Sequence, residues 1–170
     1  MDVAAVGSED EAVLLELLNT TPVVDGVRQD VLAVPATARD WLDARGIPGS
    51  ELGDLMAVRN VLQDVVRGIS SPSALGPFLG AVVLRPGATA DGLSWSLDAA
   101  GSVPSAARMV LAWDALRITS PGRLRACAND ECRLFLIDRS KPNSARWCSM
   151  AICGNRMKAR RHYRRAKATE

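Results

Sequence analysis

Apolar residues in the first part of the chain recur mostly at helical spacing. Val13, Leu14, Leu17 and Leu18 predict a first helix. Ser8-Glu9-Asp10-Glu11 precedes them in the form of a capping box, with Ser8 as N-cap and Glu11 at the third helical position. Thr21-Pro22 closes the segment. From Val23 to Val34 the pattern is ambiguous, since Val31-Leu32-Ala33-Val34 fits a strand or a turn of helix before Pro35 interrupts it. Thr37 to Arg45 predicts a short helix with Trp41 and Leu42 inward and Gly46 as its stop. The clearest helix is capped by Ser50 and runs to about Arg67. Leu52, Leu55, Met56, Leu62, Val65 and Val66 mark one side of it, with Arg59 among them. An arginine there either lines a ligand pocket or, more often, snorkels or pairs with an acid.

Ser71-Pro72 predicts another helix start, which Pro77 makes short or late. The period then changes. Ala81 to Leu84 and Leu93 to Leu97 predict strands, next to the turn signals Arg85-Pro86-Gly87 and Asp91-Gly92. Leu93, Trp95 and Leu97 alternate with Ser94 and Ser96, the period of a half-buried strand. Val103 to Ile118 returns to helix, with Val110, Leu111, Trp113 and Leu116 apolar, and Ser120-Pro121-Gly122 reads as a linker. Trp41, Trp95 and Trp113 are expected in the core. Asp40, Asp43, Glu51 and Asp54 are expected on a solvated face. The pattern predicts a mainly α fold: a helical N-terminal domain, residues 1–122, with a small β element, and a second unit at residues 123–170.

That second unit holds all four cysteines, Cys127, Cys132, Cys148 and Cys153, in two close pairs separated by fifteen residues. Zn²⁺ takes four tetrahedral ligands, and two short loops can each supply two thiolates. Leu124-Arg125-Ala126 and Leu134 to Ile137 flank the first pair as the arms of a β-hairpin. The second pair follows the loop Ser140-Lys141-Pro142-Asn143. From about Ser149 the composition turns helical, placing Cys148 at a helix entrance and Cys153 in its first turns. A hairpin and a helix around one metal make a treble-clef-like finger. His162 is a poor further ligand, because nine residues of helix carry it on the order of 13 Å beyond Cys153. Two disulfides would also use four cysteines but belong to secreted chains. The opening Met1-Asp2 is acidic, with no basic region or apolar stretch of a secretory signal, and no run approaches a membrane span. A cytoplasmic setting and zinc thiolates are therefore expected.

Hydrophobic residues make up 48% of the chain, enough for a packed domain. The charge is unevenly spread. Residues 123–170 carry thirteen Lys/Arg against four Asp/Glu, a charge of +9, while residues 1–122 carry −7 and the whole chain +2. A basic end on an acidic body suggests that the end meets a polyanion. Its cations are Arg146, Arg156, Lys158, Arg160, Arg161, Arg164, Arg165 and Lys167, with Tyr163 interleaved. A projecting basic helix suits the DNA major groove, with arginines on phosphates or on guanine. Arg156 has a second reading, in which it bonds loop carbonyls and holds the two cysteine loops together. Trp147 is expected to pack under the hairpin.

Arg146-Trp147-Cys148-Ser149-Met150, followed by Cys153-Gly154-Asn155-Arg156-Met157-Lys158, resembles the CGNR zinc finger. That finger usually follows an N-terminal ABATE domain, and Leu17-Leu18-Asn19-Thr20 is similar to the start of that domain. The resemblance implies a stress-induced transcriptional regulator whose finger binds duplex DNA. Its N-terminal domain would sense, form a homodimer or hold a partner. The body shows no catalytic constellation: it lacks cysteine and histidine, a P-loop, and a G-x-G-x-x-G after a strand. Four thiolates also leave a zinc ion no open position for water, so no enzyme activity is expected. Two other classes fit the same residues. One is an RNA-binding or ribosome-associated zinc module. The other is a redox-responsive interaction protein that loses zinc when its thiolates oxidise.

Overall fold

A computed structural model describes residues 8–99 and 103–167. Three helices form its centre: α1 (Ser8–Leu18), α3 (Leu52–Val66) and α4 (Ser105–Thr119). Leu14, Leu17 and Leu18 of α1 are buried against Leu55, Val58 and Leu62 of α3 and Met109, Val110, Ala112 and Leu116 of α4. Each fully buried leucine contributes roughly 1.5–3 kcal/mol relative to exposure. The short helix α2 (Pro35–Asp43) adds Ala38 and Leu42 to this core. The mainly α architecture with small antiparallel β elements is the one the hydrophobic pattern predicts. No helix among the described residues is long and apolar enough to cross a membrane.

Several local expectations resolve differently. The ambiguous stretch after α1 forms a minimal hairpin, β1 (Val23–Val24) with β2 (Val27–Arg28). Asp25 and Gly26 connect it with φ of 51° and 78°, the left-handed pair that a two-residue hairpin turn requires. The helix start at Ser71-Pro72 is correct, and the Ser71 side chain accepts from the Ser73 amide. The segment Pro72–Leu79 is a 3₁₀ helix, however, and Pro77 inside it donates no backbone hydrogen bond. Arg85-Pro86-Gly87 is not a turn. It lies inside β3 (Val82–Thr89), which pairs along its length with β4 (Gly92–Ala99), and the chain reverses at Ala90-Asp91. Trp95 therefore sits on this ribbon and not in the core, whereas Trp41 and Trp113 pack on the core's edge. The Ser8 side chain, and with it the predicted capping box, lies outside the described residues.

Two polar residues are settled by their partners, Arg59 in the acid-paired role favoured for it and Glu51 in one not expected. Arg59, 1% exposed, is a structural cation. Its guanidinium donates to both carboxylate oxygens of Asp30 at 2.7 and 2.8 Å and to Thr20 at 3.0 Å, which ties the segment after α1 onto α3. Burial raises the Asp30 carboxyl, but the facing Arg59 outweighs it and holds the group below its usual range. Glu51, assigned to a solvated face, accepts from the Ser105 amide at 2.6 Å and so caps the start of α4.

The C-terminal hairpin completes the core. Strands β5 (Leu124–Ala126) and β6 (Phe135–Ile137) pair antiparallel. Phe135, 1% exposed, belongs to the same buried cluster as the helices, and Leu124, Ala126 and Ile137 pack against it. Asn19, just beyond α1, makes a two-way backbone contact with Phe135. Its Oδ1 accepts from the Phe135 amide at 2.7 Å and its Nδ2 donates to the Phe135 carbonyl at 3.2 Å. The Arg67 guanidinium lies 4.2 Å over the Phe135 ring and donates to the Arg133 carbonyl at 2.7 Å. Arg139 reaches back to Glu11 at 2.9 Å. The segment with the four cysteines is thus fixed to the helices by a core side chain, an amide pair and two arginines.

Candidate metal centre

The hairpin β5–β6 delivers the first cysteine pair at its tip. The Cys127 amide donates to the Leu134 carbonyl at 2.9 Å, extending the ladder, and the Cys132 amide donates to the Asn129 carbonyl at 2.8 Å to close the loop. The Ala128 amide donates to the Arg146 carbonyl at 2.8 Å and brings the second loop alongside. Ser149 then caps a π-helical turn, Met150–Gly154, which carries Cys153 and runs into α5 (Asn155–Lys167). A π turn at a functional position is a recurrent device, because the extra residue re-aims one side chain.

All four Sγ atoms lie within 4.8 Å of one another. Cys132 and Cys148 are 3.7 Å apart, and Cys148 and Cys153 are 3.6 Å apart. A zinc ion with Zn–S bonds of about 2.3 Å would hold its ligands at tetrahedron edges of about 3.8 Å. The cluster fits one Zn²⁺, and among the described residues it has no fifth partner. Burial, joined by the neighbouring sulfurs, pushes the Cys132 thiol up to about 11 and moves Cys148 upward as well. Cys153 is opposed by burial too, but hydrogen bonds from Asn129 and the other thiols hold it below its usual value. Thiols buried and crowded in this way give up their protons together only with a cation among them.

Polar groups orient the ligands from outside. Asn129 is fully buried and donates to Cys153 Sγ at 3.5 Å, and the Cys148 amide donates to Cys127 Sγ at 3.4 Å. Asp138 is also buried. It accepts from the Ser140 amide at 2.8 Å and the Ala145 amide at 2.7 Å, so it shapes the loop between the cysteine pairs. Bonding from Ser140, then from Ala145, with Arg125 nearby, holds the Asp138 carboxyl below the usual carboxylate range. Arg123 donates to the carbonyls of Asp138 and Ser140, both at 2.7 Å, and Arg125 bonds the Asn143 side chain. The loop-holding role expected of Arg156 belongs instead to Arg123, Arg125 and Asp138. Arg156 is exposed, and no hydrogen bond or ion pair holds its guanidinium among the described residues. Asn19, Asn129 and Asp138 were not legible as site residues. The Asn two positions after Cys127 is the one local signal, since a short amide there can turn a cysteine loop.

Residues 123–166 match the family model of the CGNR zinc finger. No curated protein matches the chain. The structure gives the glycine of the finger's Cys153-Gly154-Asn155-Arg156 run a steric reason. A Cβ on Gly154 would stand 2.8 Å from Met150 Sδ and 3.2 Å from Trp147 Cδ1. Trp147 is half-buried, and the Arg146 guanidinium lies 5.2 Å from its ring centre. The finger's expected DNA-facing cations divide by helix spacing. Arg156, Arg160, Arg164 and Lys167 form one row along α5, and Lys158, Arg161 and Arg165 another. Arg160 pairs with Glu131 on the first cysteine loop at 2.5 Å, and its hydrogen bond and charge lower the Glu131 carboxyl. Lys158, Arg161 and Arg164 are exposed. The side chain of His162 lies outside the described residues. A cleft of about 390 Å³ opens beside Cys132, Cys148 and Cys153, between the finger and α1, with Arg156 at its rim.

Proposed function

We propose that the protein is a zinc-finger DNA-binding regulator of transcription. Residues 1–122 act as an ABATE-like region that senses, dimerises or holds a partner, and residues 123–170 contact duplex DNA. Cytoplasmic location and a part in a stress response go with this reading. Zinc is structural in it and the protein is no enzyme, since four thiolates fill the coordination shell. The observation that carries the reading is the basic helix α5, whose exposed cations extend beyond the zinc turn with few acids near them. Glu131 engages Arg160, while Lys158, Arg161 and Arg164 stand exposed beside it. The acidic body, at −7, repels a polyanion and confines it to the finger.

The test is a joint change of Lys158, Arg161 and Arg164 to Gln in zinc-loaded protein. Gln keeps helix propensity, and none of the three side chains touches the core. If each meets a phosphate, the log–log salt slope for duplex DNA falls by roughly 0.9 per lost contact. Affinity at moderate salt falls by orders of magnitude for every sequence. An unchanged slope with zinc retained refutes the assignment to α5. The same titration on RNA separates duplex DNA from the RNA-binding alternative.

A further inference from the structure

The four sulfurs of the cluster are not equivalent. Cys127 and Cys153 are buried, whereas Cys132 and Cys148 are part-exposed. The cleft of about 390 Å³ beside the finger is lined by Cys132, Cys148 and Cys153 but not by Cys127. Hydrogen bonding separates them further. The Cys127 sulfur accepts from the Cys148 amide at 3.4 Å, and the Cys153 sulfur from Asn129 at 3.5 Å. The Leu134 amide stands by the Cys132 sulfur. Among the described residues, the Cys148 sulfur has only other sulfurs within bonding distance, Cys132 at 3.7 Å and Cys153 at 3.6 Å. An N–H donor draws charge from a thiolate and blunts it as a nucleophile, also when the sulfur binds a metal. Cys148 is therefore the one sulfur of the four that is both reachable and without such a donor.

We infer that the finger carries an oxidation site, in which a hydroperoxide reaches Cys148 through the cleft and Cys132 closes a disulfide with it. The Cys148 thiolate attacks one peroxide oxygen and the O–O bond breaks. Cys148 becomes a sulfenic acid, and the second oxygen leaves as hydroxide or alkoxide, which solvent protonates. The Cys132 thiolate then attacks the Cys148 sulfur. An S–S bond forms and the sulfenic oxygen leaves as hydroxide. The peroxide gains the two electrons that the two thiolates lose. Cys153 is as near to Cys148 as Cys132 is, but it is buried and bonded by Asn129, so Cys132 is the second partner. The reaction consumes two of the four ligands and so releases zinc. Cys153 and the π turn then lose their metal anchor, and α5 loses it with them. Phe135 and Asn19 still hold the hairpin on the helices, which leaves a frame on which reduction and zinc rebuild the finger. The inference rests on the four-thiolate site and not on nucleic-acid binding.

The experiment treats the zinc-loaded full chain with hydrogen peroxide and follows released zinc with a metallochromic dye. Disulfides are mapped when about half of the zinc has left. Cleavage before Asp130 and after Met150 puts the four cysteines on separate peptides. The expected product is a Cys132–Cys148 link, with Cys127 and Cys153 still open to alkylation. Release should be complete at about ten- to hundredfold excess of peroxide, and dithiothreitol with zinc should restore the bound metal. Ile152→Trp, at an exposed position of the cleft, should slow release by about threefold or more through reduced access, with circular dichroism and zinc affinity unchanged. If that variant binds zinc poorly, limited labelling of the unaltered chain with N-ethylmaleimide takes its place and should strike Cys148 first. A first disulfide that contains Cys127, or that joins Cys148 to Cys153, overturns the inference. So does zinc that stays bound throughout that excess, or labelling that strikes Cys127 before Cys148.

Discussion

Hairpin β5–β6 pairs three residues on each strand, and hairpin β3–β4 pairs eight. The shorter one is the better anchored. Phe135 enters the helical core, Asn19 holds its backbone, Arg67 covers its ring, and the cysteine loops close its tip. The longer one has more ladder hydrogen bonds and, among the described residues, no side chain in the core. Backbone pairing exchanges water for protein partners at little net gain, about 0.5–1.5 kcal/mol per bond. Covering apolar area and closing a metal site contribute more. What a hairpin packs against therefore outranks the number of residues it pairs.

The sharpest way to break this comparison is to remove the metal. Chelation, or Cys153→Ser, should abolish stable zinc binding and release the loops around the cysteines, because binding is folding free energy of about 10 kcal/mol or more in small zinc units. The β5–β6 ladder should outlast the loops, since Phe135 and Asn19 hold it independently of zinc. Amide exchange resolved by residue checks this, and loss of the ladder together with the loops would make the metal its main support. Metal binding should also weaken as pH falls. The Cys132 thiol, raised to about 11, and Cys148 must give up protons to bind zinc, so protons compete with the ion. Competition against a chelator at two pH values reads this directly.

Next comes Phe135→Ala. It removes the side chain that joins finger and helices and should cost about 3–5 kcal/mol of stability for the whole chain, read from urea unfolding with zinc present. Loss confined to the finger would mean that the shared core is weaker than its burial implies. Asn19→Ala should cost about 1–3 kcal/mol, because it leaves the Phe135 amide and carbonyl unpaired near the core. The smallest effect belongs to the other hairpin. Leu93→Ala in dilute protein should change stability by no more than about 0.5 kcal/mol. A large loss there would show that β3–β4 is anchored after all.

Much of this protein is legible in its sequence, and the reasons are local. Helices α1, α3 and α4 follow from apolar spacing. The strands of the zinc hairpin follow from short apolar runs beside paired cysteines, and the four-thiolate site from cysteine spacing alone. Each signal arises within a few residues of chain. Errors arose where a residue's meaning depended on something distant. Arg85-Pro86-Gly87 has turn composition, but pairing with Trp95 and its neighbours keeps it extended. Trp95 alternates like a core residue, yet it is half-buried on the ribbon and outside the core cluster. Glu51 reads as solvated, but its partner, the Ser105 amide, lies far along the sequence; the acid pairing favoured for Arg59 holds, with Asp30 as the partner.

The chain by itself determined that one zinc ion has a place, and which four side chains hold it, because ligand chemistry and loop length are written within one short segment. Only the tertiary structure decided how that segment is held. Phe135 reads as one apolar residue in a short strand, and Asn19 as a polar residue after a helix. Their contact spans 116 positions of chain and exists because folding of the helices opens a site for one aromatic ring. The same packing left β3–β4 without a cover, which no periodicity reports. Period identifies the face of an element that is apolar, and the arrangement of the other elements decides what meets it.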